Sequence, residues 1–411
     1  MLPTAPLASH KAAQAQKLTN ARRSACKPFI CLAAPSSSST TSMQQQHQEQ
    51  QQPRPASWVP QISPEARGPF LGVPDVPLLG LGLAALGRPG YINLGHGGDL
   101  GAGKSVADMR AHCASVLDEA RRLGIRYYDA ARSYGRAEEF LASWLGGQQG
   151  EQGQDQGGQR GESLLVGSKW GYRYTADWQV DTGGQPHEVK DHSCDHLRLQ
   201  AGQTEALLGP YLRLYQIHSA TLESGVLDAA DVLSELAALK RSRGWKIGLS
   251  LSGVHQAATL HKALQVRCPG DGSRLFDCVQ ATYNLLEQSA GPALAEAHAA
   301  GLSVIVKEGL ANGRLTHRNT DPRFAPRLGA LQRVADKYGS TVDAVALAAL
   351  LLQPFRPLVL SGAACGRQLR DNAGALELAG RLQPEDVSRL QSELLQPPEQ
   401  YWADRSALAW N

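Results

Sequence analysis

Eight short apolar runs restrict the possible folds of this chain more than any other feature. They lie at Leu78–Leu86, Ile125–Tyr128, Leu164–Gly167, Leu212–Ile217, Trp245–Leu249, Phe276–Ala281, Leu302–Val306 and Pro357–Leu360. Between them, apolar residues recur every three or four positions, as in Val106, Met109, Cys113, Val116 and Ala120, or Val232, Leu236 and Leu239. Short runs bounded by turn residues predict strands, and the longer spacing predicts amphipathic helices. An eightfold alternation of strand and helix predicts a single (β/α)8 barrel over residues 57–411, longer than the usual ~250 residues because of insertions. A doubly wound sheet is the alternative. The first run weakens it, because Gly80-Leu-Gly82-Leu-Ala-Ala-Leu-Gly87 lacks a Gly-x-Gly-x-x-Gly spacing and leads into a glycine-rich loop rather than a helix. Those glycines are expected to line a crowded barrel mouth or to bend the strand.

Residues 1–56 read differently. They carry six Lys/Arg and a single acid, Glu49, among Ala, Ser, Thr and Gln, and end in a serine run and a glutamine tract. Basic and hydroxyl residues without acids describe an organelle transit peptide followed by a low-complexity linker, with chloroplast the expected destination and mitochondrion the alternative. Setting these residues aside leaves 35 basic against 37 acidic residues, so the body is not a polyanion binder and nucleic acid is not an expected partner. No apolar run reaches the roughly 18 residues of a membrane span, and Val342–Leu352 reads as a buried helix. Seven scattered cysteines without a Cys-x-x-Cys pair suggest neither a disulfide framework nor a zinc cluster, and no His-Glu-x-x-His occurs. Gly146–Gly161 has thirteen Gly or Gln among sixteen residues and reads as a solvated, flexible insertion. Trp170–Cys194 holds Trp170, Tyr172, Tyr174 and Trp178 directly after the third strand, where aromatics, Trp170 and Trp178 above all, are expected to shape a substrate pocket.

Polar chemistry gathers where strands end. The second run stops at Asp129 and passes through Ala-Ala-Arg-Ser to Tyr134-Gly-Arg-Ala-Glu138, a strand, loop and helix start. The third reads Ser163-Leu-Leu-Val-Gly-Ser168-Lys169-Trp170, placing a lysine where it is costly unless paired. The fourth reads Leu214-Tyr-Gln-Ile-His218-Ser219. A lone strand-end histidine is more often structural than catalytic; four ionisable residues on three consecutive strand ends shift that balance.

In this arrangement Asp129, Tyr134, Lys169 and His218 resemble the tetrad of the aldo/keto reductase family. The resemblance implies that Tyr134 donates a proton to a carbonyl oxygen, helped by the Lys169 ammonium stabilising its phenolate. Asp129 would hold Lys169 charged, and His218 would orient the oxygen. It also implies a nicotinamide nucleotide at the barrel mouth. Lys246-Ile-Gly-Leu-Ser250 and Val279-Gln280 resemble the fifth- and sixth-strand cofactor motifs. Gly309-Leu310-Ala-Asn312-Gly313 resembles the pyrophosphate loop. Ser361-Gly362-Ala363, followed by Gln368 and Asn372, resembles the adenosine-binding turn and helix start. There are departures from the family pattern: Leu251 replaces a frequent Asn, Lys307 a frequent aromatic on the nicotinamide, and Gly362 and Gln368 frequent cations for the 2′-phosphate. Arg367 or Arg370 is left for that phosphate, so NADP(H) is preferred and NAD(H) possible. The resemblance lies nearest the aldose and galactose dehydrogenases and leaves three functions open: carbonyl reduction, sugar oxidation, or a nucleotide-binding regulatory barrel. A short-chain dehydrogenase is disfavoured, since no Tyr-x-x-x-Lys occurs. The residues after Gln396 are expected either to fold over the mouth or to dock on the barrel side.

Overall fold

A computed structural model of the protein describes residues 54–151 and 164–411. The expected leader up to residue 53 and positions 152–163 of the Gly/Gln stretch lie outside the described residues.

Every run expected to be a strand forms one. They are β1 (Leu79–Gly82), β2 (Tyr127–Asp129), β3 (Leu165–Trp170), β4 (Leu212–Ala220), β5 (Lys246–Leu251), β6 (Cys278–Thr282), β7 (Ser303–Lys307) and β8 (Leu358–Ser361). Each pairs in parallel with the next, and β8 pairs with β1, closing a barrel. Helices alternate with them: α1 (Val106–Arg122), α2 (Ala137–Glu151), α3 (Cys194–Leu208), α4 (Ala230–Arg243), α5 (Gln256–Gln265), α6 (Gly291–Ala299), α7 (Ala325–Tyr338), α8 (Val342–Leu351) and α9 (Gly366–Leu378). Two more, α10 (Pro384–Leu394) and α11 (Pro398–Ser406), follow the last repeat. Local chemistry sets these boundaries. The Ser105 hydroxyl accepts from the Asp108 amide at 3.1 Å to open α1, which buries Met109, Cys113, Val116, Leu117 and Ala120. Helix α8 is buried at every position except Asp343, as its unbroken apolar run requires.

Alternation along the strands divides the core into two layers. Outward residues such as Tyr128, Val166 and Tyr215 pack beneath the helices. Inward residues Tyr127, Leu165, Leu214 and Ile305 fill the barrel together with Phe70 and Val76. These last two come from an antiparallel ribbon, Arg67–Phe70 with Val73–Pro77. Polar inward residues occur further along the same strands, towards their C-terminal ends, where the site lies.

Two sequence expectations change. Helix α2 runs to Glu151, so the first six residues of the Gly/Gln stretch are helical rather than loop. The aromatic insertion after β3 folds as a ribbon of Tyr172–Tyr174 with Glu188–Lys190. Among the described residues no helix is long and apolar enough to cross a membrane.

Candidate active site

The site begins with Asp129, the last residue of β2. Tyr127, two positions earlier, also points inward and its hydroxyl donates to Asp129 Oδ1 at 3.0 Å. That reach depends on Gly167 in β3, since a Cβ there would stand 2.1 Å from the Tyr127 hydroxyl. Gln280 Nε2 from β6 donates to the same oxygen at 3.1 Å, and Lys169 donates to Oδ2. Lys169 is completely buried and Asp129 is 2% exposed. The ammonium also donates to the Ala130 carbonyl at 2.8 Å and lies 4.7 Å from the Tyr134 ring centroid. The buried charge is therefore paired, and the pair underlies the tyrosine.

Tyr134 is carried by the loop after β2. Its amide donates to the Ala131 carbonyl at 3.0 Å, and Gly135 follows at φ +58°. Here the loop crosses the one after β1 at backbone contact: a Cβ on Gly135 would meet the Gly87 carbonyl at 2.4 Å, and one on Gly87 the Tyr134 carbonyl at 2.2 Å. Only glycines permit that crossing, and it sets Arg88 over Tyr134. Glu138, the other acid of the motif, is structural. It accepts from Ser168 at 2.5 Å, Thr204 at 2.8 Å and Arg132 at 2.7 Å, tying the loop to β3 and α3.

His218 is aimed by an irregularity in β4. Pairing with β5 shifts register between Ile217 and Ala220, and Ser219 takes φ +52°, held by its amide donating to Ser250 Oγ at 2.9 Å. The imidazole lies edge-on to Tyr134 with centroids 5.4 Å apart, has Tyr172 at 4.9 Å, and shares a 3.3 Å hydrogen bond between Nδ1 and Ser133 Oγ. Burial, followed by the charges of Lys169 and Lys307, lowers its pKa well below the usual imidazole value, so the ring is neutral. Burial, followed by Asp129, raises the Tyr134 phenol well above its usual value. The ammonium is committed to Asp129 and Ala130, and Tyr134 holds its proton at neutral pH.

Asp129, Tyr134 and His218 stand on the wall of a cleft of about 350 Å³, and Lys169 lies buried behind it. Of the residues carrying the cofactor resemblance, Gln280, Gly309, Leu310, Asn312, Gly313, Ser361, Gly362, Ala363, Gln368 and Asn372 line it. Asn312 Oδ1, Gln368 Nε2 and Asn372 Oδ1 are buried polar atoms without partners, and above Gly362 a Cβ would find nothing nearer than 3.9 Å. The orphaned Asn312 and Asn372 oxygens suit the hydroxyl donors of a ligand, and the orphaned Gln368 N–H suits one of its hydroxyl or phosphate oxygens. Glu308, Ala311, Asn312 and Gly313 all have positive φ, folding the loop after β7 tightly against α8.

Three expected positions differ. Trp170 follows Lys169 on β3, so alternation turns it outward; it is completely buried under the helices and does not line the cleft. Trp178 packs on Phe140 and donates to the Lys104 carbonyl at 2.8 Å, also outside the cleft. Ser250 is occupied by the Ser219 amide, and Ser252 takes its place on the wall. His192 and His196 stand four residues apart, yet among the described residues no group of His, Cys, Asp or Glu could hold a metal.

The tail folds over the mouth. Arg405, Leu408 and Trp410 line the cleft, Trp410 stacks on His187 at 3.9 Å, and Asn411 exchanges backbone hydrogen bonds with Tyr91. Arg405 binds Glu308 at 2.6 Å, and this pairing holds the Glu308 carboxyl at about 2 despite burial. The sequence reading passed over Arg88, Glu188, Glu308 and Arg405, which four separate segments bring to the mouth. Asp343 faces the nucleotide-like end; burial, then Asp371, pushes its carboxyl up to about 7 against the opposing effect of Arg318 and Arg367. A carboxyl raised above its unfolded value favours the folded state at low pH, and that contribution is lost as pH rises through about 7. Asp343→Asn is therefore expected to raise the melting temperature most at pH 8.5, less at pH 5, which already lies above the unfolded carboxyl's value, and hardly at all at pH 3.5, by calorimetry.

Solved structures share the fold. A Pseudomonas aeruginosa protein assigned to the aldo-keto reductases is 24% identical at a TM-score of 0.52, covering 77% of this chain and 95% of that one. An aldo-keto reductase from Bacillus halodurans, solved in its holo form, is 18% identical at a TM-score of 0.54, covering 80% of this chain and 96% of that one. No curated protein matches the chain. The model of the aldo/keto reductase family matches residues 92–394, most of the sequence and nearly all of the barrel, and the chain belongs to that family.

Proposed function

We propose that this oxidoreductase reduces an aldehyde or ketone with NAD(P)H, Tyr134 acting as proton donor. The observation that carries the reading is the convergence, from three successive strand ends, of Asp129, Tyr134 and His218 on one cleft wall, with Lys169 buried behind them against Asp129 and the Tyr134 ring. A nicotinamide nucleotide supplies the hydride when bound; Gln280, Gly309, Asn312, Gly362, Gln368 and Asn372 would hold it. Neutral His218 offers a hydrogen bond to the carbonyl oxygen and fixes its direction relative to the Tyr134 hydroxyl. As negative charge develops on that oxygen, the phenol passes its proton there, which its raised pKa still permits because an alkoxide is far more basic. Lys169 then stabilises the phenolate from a position already pre-organised by Asp129. The neutral resting phenol and neutral imidazole are the two protonation states this sequence of events requires.

NADPH preference rests on Arg367. Arg370 is occupied by Glu119 at 2.8 Å and the Arg54 carbonyl at 3.2 Å, and Arg318 is paired with Asp99. Arg367 is exposed in the first turn of α9, beside the Gly362 end of the cleft. Arg367→Ala is expected to weaken NADPH binding roughly tenfold, the effect of one charge-assisted contact, and leave NADH binding alone, by fluorescence titration. Equal weakening of both nucleotides would remove the basis for the preference. The reductase reading itself is tested by nucleotide oxidation with a panel of carbonyls in the wild type.

A further inference from the structure

We infer that the carbonyl substrate carries a carboxylate, received by the buried guanidinium of Arg88; this rests on the reductase reading above. Arg88 lies in the loop after β1, 2% exposed, and lines the cleft. Its hydrogen bonds leave from Nη1 alone, to the Ser133 carbonyl at 3.0 Å and to Glu188 Oε2 at 3.1 Å. Nε is buried without a partner, so the Nε/Nη2 edge carries no hydrogen bond. Aromatic rings surround it: Trp410 at 4.7 Å, Tyr91 at 5.2 Å and Tyr134 at 5.3 Å from Cζ. Rings soften the burial of a cation but cannot accept two directed N–H bonds. The unpartnered Nε–H and Nη2 form one edge of a guanidinium that lines the cleft, and that edge matches a planar carboxylate, which takes both hydrogens once Nε, covered at rest, is uncovered.

The charge balance at the reacting end points the same way. Lys169, Lys307, Arg88 and Arg405 face Asp129, Glu188 and Glu308, one cation more than anions, with His218 neutral. Lys307 is the surplus cation: its ammonium donates to Thr282 Oγ1 at 2.7 Å and lies 3.9 Å from Glu308. A monoanionic substrate brings this end to neutrality, whereas a neutral aldehyde leaves it with a net positive charge. Arg88 sits directly beside Tyr134, so carboxylate and carbonyl belong to one compact molecule. Oxo acids, semialdehyde acids and carboxylated aromatic aldehydes share that chemistry.

The test compares kcat/KM of the full chain for 4-carboxybenzaldehyde and its methyl ester, with glyoxylate and succinic semialdehyde showing which spacing fits best. The acid is expected to be preferred over the ester in the wild type. The acid-to-ester ratio should fall by roughly 10- to 100-fold in Arg88→Met, the range expected for losing hydrogen bonds to a charged group. The double variant Arg88→Met/Glu188→Gln, which leaves no unpaired carboxylate, should show the same fall if the single variant folds poorly. Benzoate binding, measured by calorimetry with nucleotide present, should be lost in parallel. An unchanged ratio in either variant, or benzoate competing with the nucleotide rather than with the aldehyde, overturns the assignment while the reductase reading stands. If the wild type reduces neither acid nor ester nor any other carbonyl of the panel, the reductase reading fails; if it reduces others but not these two, that reading stands; in both cases benzoate binding judges Arg88: loss in the variant supports the carboxylate site, and unaltered binding overturns it.

Discussion

Tyr134→Phe is expected to lower kcat for carbonyl reduction by about 10²–10⁴-fold, the range for removing a positioned general acid, while nucleotide affinity changes little. The phenyl ring preserves the edge contact with His218 and the face presented to Lys169, so the variant removes one hydroxyl from an otherwise intact wall. Steady-state kinetics beside a nucleotide titration separates the two effects. A variant turning over within a few-fold of the wild type would assign the proton to another group.

The second large effect concerns stability. Asp129→Ala leaves the completely buried Lys169 ammonium with only the Ala130 carbonyl, and also frees the Tyr127 hydroxyl and the Gln280 amide. Breaking a buried ion pair by removing one partner costs about 3–5 kcal/mol, which urea unfolding of the variant should register as a lower midpoint. Asp129→Leu combined with Lys169→Met removes both charges and is expected to recover much of that loss, yet to stay inactive. Such a result would separate the energetic role of the pair from its chemical one. If the double variant were no more stable than Asp129→Ala, the cost would lie in the Tyr127 and Gln280 contacts rather than in the unpaired charge.

The barrel was legible because each strand is a short apolar run and each helix an amphipathic one, so local periodicity and global topology agree. The four residues of the tetrad were legible for a related reason: each is the polar residue that ends or follows such a run. What escaped notice has physical causes. Trp170 looked like a pocket residue because it follows Lys169 at a strand end, but a period of two turns adjacent residues to opposite faces. Counting inward positions from Leu165 through Gly167 to Lys169 assigns it correctly. Arg88, Glu188, Glu308 and Arg405 carry no periodic signal. Their partners are distant in sequence, as with Arg88 and Glu188, 100 residues apart, or Glu308 and Arg405, 97 apart. One hint was available for Arg88, the only charge in an otherwise apolar, glycine-rich segment after the first strand. The helical start of the Gly/Gln stretch shows the reverse case, a weak local propensity overridden where α2 continues from a well-packed first half.

The tail has no counterpart in the strand and helix count, yet it completes the mouth. Trp410 covers Arg88, and Arg405 neutralises Glu308, so the last residues of the chain determine which charges the cleft presents. The cleft therefore combines a wall built from the barrel with a rim built from sequence outside it.

The most direct measurement of the central claim follows the hydrogen itself. NADPH deuterated at nicotinamide C4 would be incubated with the protein and an aldehyde, and the alcohol examined by NMR. One deuterium at the former carbonyl carbon in the wild type, and almost none in Tyr134→Phe despite bound nucleotide, is the predicted result. Nucleotide binding without label transfer to any carbonyl, or equal transfer in the two proteins, would contradict it.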